Sequence, residues 1–341
     1  MTSRPFPPPR LADLSAPSAS NFLALARSLD ERPCTLVAGA GVPASAGLPT
    51  WRGLLKNIAK IYFTHWKFAQ RNSGNPVGAP IDLSIAFWED FMWPPEAEAL
   101  ADELVTLNDP LTVAQMIIAR VAESNRQYLV RKALYGSASD HRPSALMAGL
   151  ADLTAHQRVM AVLCYNYDDL LERALQSRSV QVAPIWETSM VAASESVPIF
   201  YPHGYLKEAG GPLVPIVLTE EDYNAYATDG YGWRNLVQLR QFSTSSCLFV
   251  GCSLTDPQVR RLLWVAKRGG ADDHYAFLPS YASESENQSM IEKLIDSQLH
   301  ELGVRVIRYP VGPKTADPHG RLVSLVTELI ASSADFDHVW R

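Results

Sequence analysis

Cys34-Thr35-Leu36-Val37-Ala38-Gly39-Ala40-Gly41 is the stretch whose reading decides the fold. A strand buried on both faces of a parallel sheet reads as a continuous apolar run rather than an alternating one. Glycines directly after such a strand make a tight turn, let the backbone approach a phosphate closely and aim N–H groups at the anion. Upstream, Asn21 to Asp30 predicts a short helix. Before it, Met1 to Ser20 is rich in proline and serine, too poor in apolar surface to offset its ordering entropy, and reads as a flexible tail or docking arm.

Downstream the pattern changes. From Trp51 to about Leu150 the apolar residues take helical spacing, as in Leu111 to Leu134, interrupted at Asn75-Pro76 and at Asn108-Asp109-Pro110. This predicts a mostly helical insertion after the first strand. Short apolar runs then return at Val159–Cys164, Val197–Tyr201, Ser246–Val250, Tyr275–Leu278 and Val304–Ile307, each separated from the next by helical or loop material. Asp256-Pro257 writes a helix start and Gly269-Gly270 its stop, while Thr219 with Asp222 resembles a capping box. Strands alternating with helices predict an α/β fold, an open parallel Rossmann-like sheet covered by helices on both faces. The expected organisation is a tail over 1–20, a Rossmann domain over 21–50 and 151–341, and a helical insertion over 51–150.

Composition narrows the function. The 341 residues carry 30 Lys and Arg against 36 Asp and Glu, a net charge of −6, which excludes a basic nucleic-acid-binding domain. With 47% hydrophobic and 19% charged residues the chain has material for a buried core. Its 4 cysteines, Cys34, Cys164, Cys247 and Cys252, form no C-x-x-C, so no zinc ribbon or redox dithiol is written. The N-terminus lacks the apolar stretch of a signal peptide, and no uncharged run reaches the ~18 residues that span a bilayer, so a cytoplasmic protein without membrane contact is expected.

Four strand ends offer chemistry. Gly39-Ala40-Gly41 departs from G-x-G-x-x-G at Ala44, and Trp51 and Arg52 stand near where a ribose-binding acid would follow, which argues against a hydride-transfer domain. Asn166-Tyr167-Asp168-Asp169 lies at a strand's carboxyl end, where ligands bind; one of the two aspartates also reads as the cap of a helix starting at Leu170. His203-Gly204 offers a general base or a partner for a ribose hydroxyl, against the alternative of a structural histidine. Gly251-Cys252-Ser253 offers contacts to sugar or phosphate; Cys252 reads either as a nucleophile or as a small packing residue.

The order of these motifs resembles the sirtuin family, most closely its divergent bacterial branch of NAD-consuming anti-phage defence proteins. Gly39 to Trp51 looks like the family's opening NAD loop, with Pro43 where serine is usual; Asn166-Tyr167-Asp168, His203-Gly204-Tyr205-Leu206 and Phe249 to Pro257 look like the later motifs. The resemblance implies NAD+ as bound substrate, with Gly39, Ala40 and Gly41 around the pyrophosphate and Asn166 and His203 as the catalytic pair at the nicotinamide ribose. It further implies Asp168 at the nicotinamide carboxamide, Gly251, Cys252 and Ser253 on the adenosine side, and the strand from Val306 to Tyr309 over the adenine. The paired cysteines of the deacylating members are missing, so no zinc or other metal is expected. The implied activity is NAD+ hydrolysis to nicotinamide and ADP-ribose. Homo-oligomerisation or a separate activator is implied for its control: a helicase-like ATPase, a short Argonaute or a nucleotide-sensing subunit. The other classes open to these motifs are a zinc-free deacylase, an ADP-ribosyltransferase and a non-catalytic NAD or ADP-ribose sensor.

Overall fold

The structure, a computed structural model, describes residues 14–73, 94–136, 140–156, 159–212, 214–281, 285–311 and 319–339. In chain order the elements are α1 (Ala16–Glu31), β1 (Cys34–Ala38), α2 (Gly41–Ala44), α3 (Trp51–Ser73), α4 (Pro95–Leu107), α5 (Pro110–Ile118), α6 (Glu123–Tyr135), α7 (Ala145–His156) and β2 (Val159–Cys164). They continue with α8 (Leu170–Ser177), β3 (Val182–Ile185), β4 (Val197–Phe200), α9 (Glu220–Thr228), α10 (Trp233–Thr244), β5 (Ser246–Val250), α11 (Pro257–Arg268), β6 (His274–Ser280), α12 (Glu286–Glu301), β7 (Val304–Pro310) and α13 (Gly320–Val339).

The seven strands form one sheet in the order β3-β4-β2-β1-β5-β6-β7, with parallel pairing throughout. Side chains alternate across it. Leu36 and Ala38 of β1 enter a core shared with α1, α7, α8 and α13, whereas Val37 enters a second core with Phe242, Leu262 and Leu299 from α10, α11 and α12. Covering both faces explains why all five residues of β1 are buried. The chain runs from β1 to β2 on one side of the sheet, while β5 lies on the other side of β1. This is a topological switch point, and the crevice outside the carboxyl ends of β1 and β5 is where open α/β sheets take ligands.

Local signals hold at the caps. Asp256 Oδ1 accepts from the N–H groups of Gln258 and Val259 at the head of α11, and Thr219 and Asp222 close a complete capping box on α9. At the N-terminus the helix begins five residues earlier than the sequence suggests. Pro17 is tolerated in its first turn, and buried Ser18 accepts the N–H of Arg308, so residues 16–20 belong to α1 rather than to a tail. The rest of the expected tail, residues 1–13, and the break at Asn75-Pro76 lie outside the described residues.

Helices α3, α4, α5 and α6 pack on one another, as an insertion should, but Leu55, Ile58, Val113 and Leu129 join the same core as Leu36 of the sheet. α7 packs on α8 and α13, so the expected boundary at 150/151 falls inside a helix. The sequence reading also omits β3, three half-buried residues and the buried Ile185; a proline in so short a run argues against reading it as a strand. Among the described residues no helix is long and apolar enough to cross a membrane.

Candidate functional site

The two glycine loops close on each other. Gly39 N–H donates to Val250 O at 2.9 Å and Gly41 N–H to Gly251 O at 2.9 Å. A Cβ at residue 39 would stand 2.6 Å from Gly251 O and 2.7 Å from Cys252 Sγ; one at residue 41 would stand 2.8 Å from Gly251 Cα. Glycine is required here by loop-on-loop contact, and the N–H groups of Gly39 and Gly41 point at β5, not outward toward an anion. Ala40 caps the single turn α2, in which Pro43 is buried. Trp51 opens α3 half-buried against the core.

Asn166, at the end of β2, is buried and its Nδ2 donates to Gly39 O at 3.0 Å and to Ala38 O at 3.4 Å, strapping the second strand end to the first. Asp168 Oδ1 accepts Leu170 N–H at 3.1 Å, so it serves as a helix cap. Its Oδ2 is buried without a partner among the described residues. Burial pushes the Asp168 carboxyl up to about 7, with the charge of Asp169 acting in the same direction and the Leu170 N–H opposing it. The hydroxyl of nearby Tyr201 is likewise buried and unpartnered.

His203 sits among aromatic rings, with centroids 5.2 Å from Tyr165, 5.7 Å from Tyr223 and 6.4 Å from Tyr226. Burial lowers its pKa below the ordinary histidine value, although the charge of Asp256 and a hydrogen bond to the Tyr165 backbone pull the other way. Nε2 is buried with no partner among the described residues. A neutral imidazole whose other nitrogen is bonded to a carbonyl presents a lone pair at Nε2, the arrangement of a proton acceptor. The loop is fixed on both sides: Leu206 N–H donates to Tyr167 O at 2.7 Å and Val217 N–H to His203 O at 2.8 Å. Gly204, at φ +107°, has no room for a Cβ, which would lie 2.7 Å from Pro215 O.

Cys252 resolves in favour of packing. Its thiol donates toward the carbonyls of Val37 and Val250, each at 3.6 Å, and burial pushes it up to about 12, leaving no thiolate for attack. Ser253 is exposed and pairs with Thr255. Tyr309 lies on the edge strand β7, three strands from β1 or roughly 14 Å at the usual strand spacing, buried in the core; it does not join the cluster.

Several neighbours of the site escaped sequence reasoning. Tyr223 donates to Asp256 Oδ2 at 3.2 Å, so Asp256, read only as a cap, also faces the histidine. Tyr205 donates to the buried carboxylate of Glu172, and Arg173 bonds Glu208 at 2.9 Å, which in turn holds His141 at 2.6 Å. Tyr205, directly after His203-Gly204, and Glu172, three residues after Asp169, carried a positional signal, but the groups that they and Arg173, Glu208 and His141 meet come from other elements. A cavity of about 500 Å³ lies on the outer side of the His203 loop, walled by Ile216, Trp233 and Arg234, and shares Tyr226 with the histidine. Another of about 470 Å³ opens between α6 and α8 over Asp169, Arg173 and Glu208. Among the described residues no group of three or more His, Cys, Asp or Glu is placed to hold a metal.

Residues 160–307 match the family model described as SIR2-like domain. The span contains Asn166, Asp168, His203 and the Gly251 loop, and leaves β1 and its glycines outside. No curated protein matches the chain. Among solved structures, the chain is similar to one from work on the mechanism and regulation of Sir2 enzymes, at 13% identity and TM-score 0.43 over 93% of this chain and 98% of that one. It is also similar to a Sir2 homolog in complex with NAD, at 13% identity and TM-score 0.41 over 91% and 94%. A Sir2 homologue variant bound to 2'-O-acetyl ADP ribose gives 14% identity and TM-score 0.40 over 92% and 96%. The protein is thus an open, all-parallel α/β protein that carries a SIR2-like domain match.

Proposed function

We propose that this protein hydrolyses the N-glycosidic bond of NAD+, releasing nicotinamide and ADP-ribose. The observation that carries the reading is the pair of buried, unpartnered polar atoms at neighbouring strand ends, His203 Nε2 and Asp168 Oδ2. A buried polar atom without a partner is costly, and a ligand that supplies one removes the cost. The leaving group is already a cationic pyridinium, so the reaction needs no acid; the work is to position the ribose and to stabilise an oxocarbenium-like state. His203 Nε2 accepts a proton from a ribose hydroxyl or from the attacking water. Asn166 commits Nδ2 to the Gly39 and Ala38 carbonyls, so its Oδ1 is the group that orients the ribose or that water. Asp168, protonated below about pH 7, offers Oδ2–H to the carboxamide oxygen of nicotinamide. The pyrophosphate is assigned to the crevice between the β1 and β5 loops; since Gly39 and Gly41 spend their N–H groups on β5, contacts there fall to Ala40 and the Cys252-Ser253 backbone.

An unrestrained activity of this kind depletes its own cell of NAD+. We therefore infer control by assembly or by a separate partner, a helicase-like ATPase, a short Argonaute or a nucleotide-sensing subunit, as suits an anti-phage effector acting in the cytoplasm. The test is nicotinamide release from NAD+ by the purified protein, alone and in extract of its native cells. His203→Ala and Asn166→Ala are each expected to lower the rate by ~100-fold or more, the range of a lost general base. Both variants turning over at the parental rate would overturn the assignment. Acyl-ADP-ribose or labelled protein as product would identify a transferase, and NAD+ binding without turnover in either setting a sensor.

A further inference from the structure

Helix α12 is turned inside out. At 100° per residue, Glu292 and Leu299, its two buried residues, share the side that rests on the sheet. Polar anchors fix that orientation: Glu292 accepts Ser280 Oγ at 2.8 Å and Tyr281 N–H at 2.6 Å, and Asp296 holds Arg308 at 2.7 Å. From the side opposite Glu292 round to one flank of the buried face the helix carries Met290, Leu294, Ile291 and Ile295, which are 70%, 73%, 50% and 41% exposed. A helix lying on a sheet needs one apolar stripe, facing the core. Single exposed apolar residues are ordinary, but four contiguous ones on the outward side of a fastened helix mark an interaction surface.

We propose that this stripe is covered by a second copy of the same chain, α12 packing antiparallel on α12 about a two-fold axis. The stripe is self-complementary in that sense. With the axis at its middle, Met290 meets Ile295 of the second copy and Ile291 meets Leu294. The same face ends in two uncharged amides, Asn287 and Gln298, one turn beyond the apolar residues at either end. Antiparallel pairing brings each amide to the other's counterpart, where they hydrogen-bond; a parallel pairing sets like end against like. No charge lies within the stripe for an oppositely charged partner to read, and the exposed Glu286 and Lys293 stand on its flank. α12 packs on β7, the edge strand at the other end of the sheet order from β3 and β4.

Sedimentation of the full chain tests this without reference to any activity. The wild type is expected to sediment as a dimer at about 100 µM, ample for a micromolar association. Leu294→Glu is expected to be monomeric with unchanged circular dichroism, because residue 294 makes little contact within its own chain. The double variant Asn287→Cys, Gln298→Cys is expected to form a covalent dimer on oxidation, which fixes the antiparallel register. A wild type that is monomeric at that concentration, or a Leu294→Glu variant that remains dimeric, overturns the proposal.

Discussion

Asp168 ionises near ~4 in an unfolded chain, yet holds its proton to about 7 in the fold. Over that window the folded state binds the extra proton, so stability falls as pH rises from about 4 to about 7 and levels off above it. Thermal melts across this range are expected to show the fall in the wild type and to lose that component in Asp168→Asn. If Oδ2–H is the donor to nicotinamide, kcat/KM also declines above pH 7 in the wild type and stays level in the variant, whose amide keeps a donor. The lowered pKa of His203 puts the acid limb of the activity below the ordinary histidine value near ~6.5, since the neutral ring persists there. Cys252→Ala is expected to keep full nicotinamide release, its thiol being a packing group. Gly39→Ala, by contrast, forces backbone against backbone and should lower stability by about 1–3 kcal/mol in chemical denaturation.

At the scale of elements, α8 grips the His203 loop by two successive residues, Glu172 through Tyr205 and Arg173 through Glu208. The helical insertion adds a third hold, since Tyr135 donates to Leu206 O at 2.7 Å and His141 bonds Glu208. Glu208 is 11% exposed, so removing it strands Arg173 and His141 between the limits for surface and buried pairs. Glu208→Ala is expected to cost about 2–3 kcal/mol in denaturant unfolding, whereas Glu208→Gln recovers part of it. Which of these residues pair with which was not legible in the sequence, because the two members of each pair come from different elements. What was legible at this scale was local: the Asp256-Pro257 and Thr219 caps, and six apolar runs as strands. β3 was not, being a half-buried edge with a proline.

The whole molecule has one sheet with a core on each face, and the insertion helices feed the first of these. The described residues of 51–150 therefore share the core of the sheet, and the chain is expected to unfold in a single transition. Coincident denaturation curves from tryptophan fluorescence and far-UV circular dichroism would show this, and two separated transitions would show independent units.

The sequence by itself determined the fold class and the positions of its strand ends, because apolar runs, glycine turns and caps act over a few residues. It placed Gly39, Asn166, His203 and Gly251 at the carboxyl ends of successive strands, where a parallel sheet gathers them. Tertiary structure alone decided what those residues face. It turned the N–H groups of Gly39 and Gly41 toward β5, sent the Cys252 thiol inward, buried Tyr309 away from the cluster and surrounded His203 with three tyrosines. Burial and partnership depend on elements far apart in the chain, and so do the pKa of Asp168 and the outward stripe of α12.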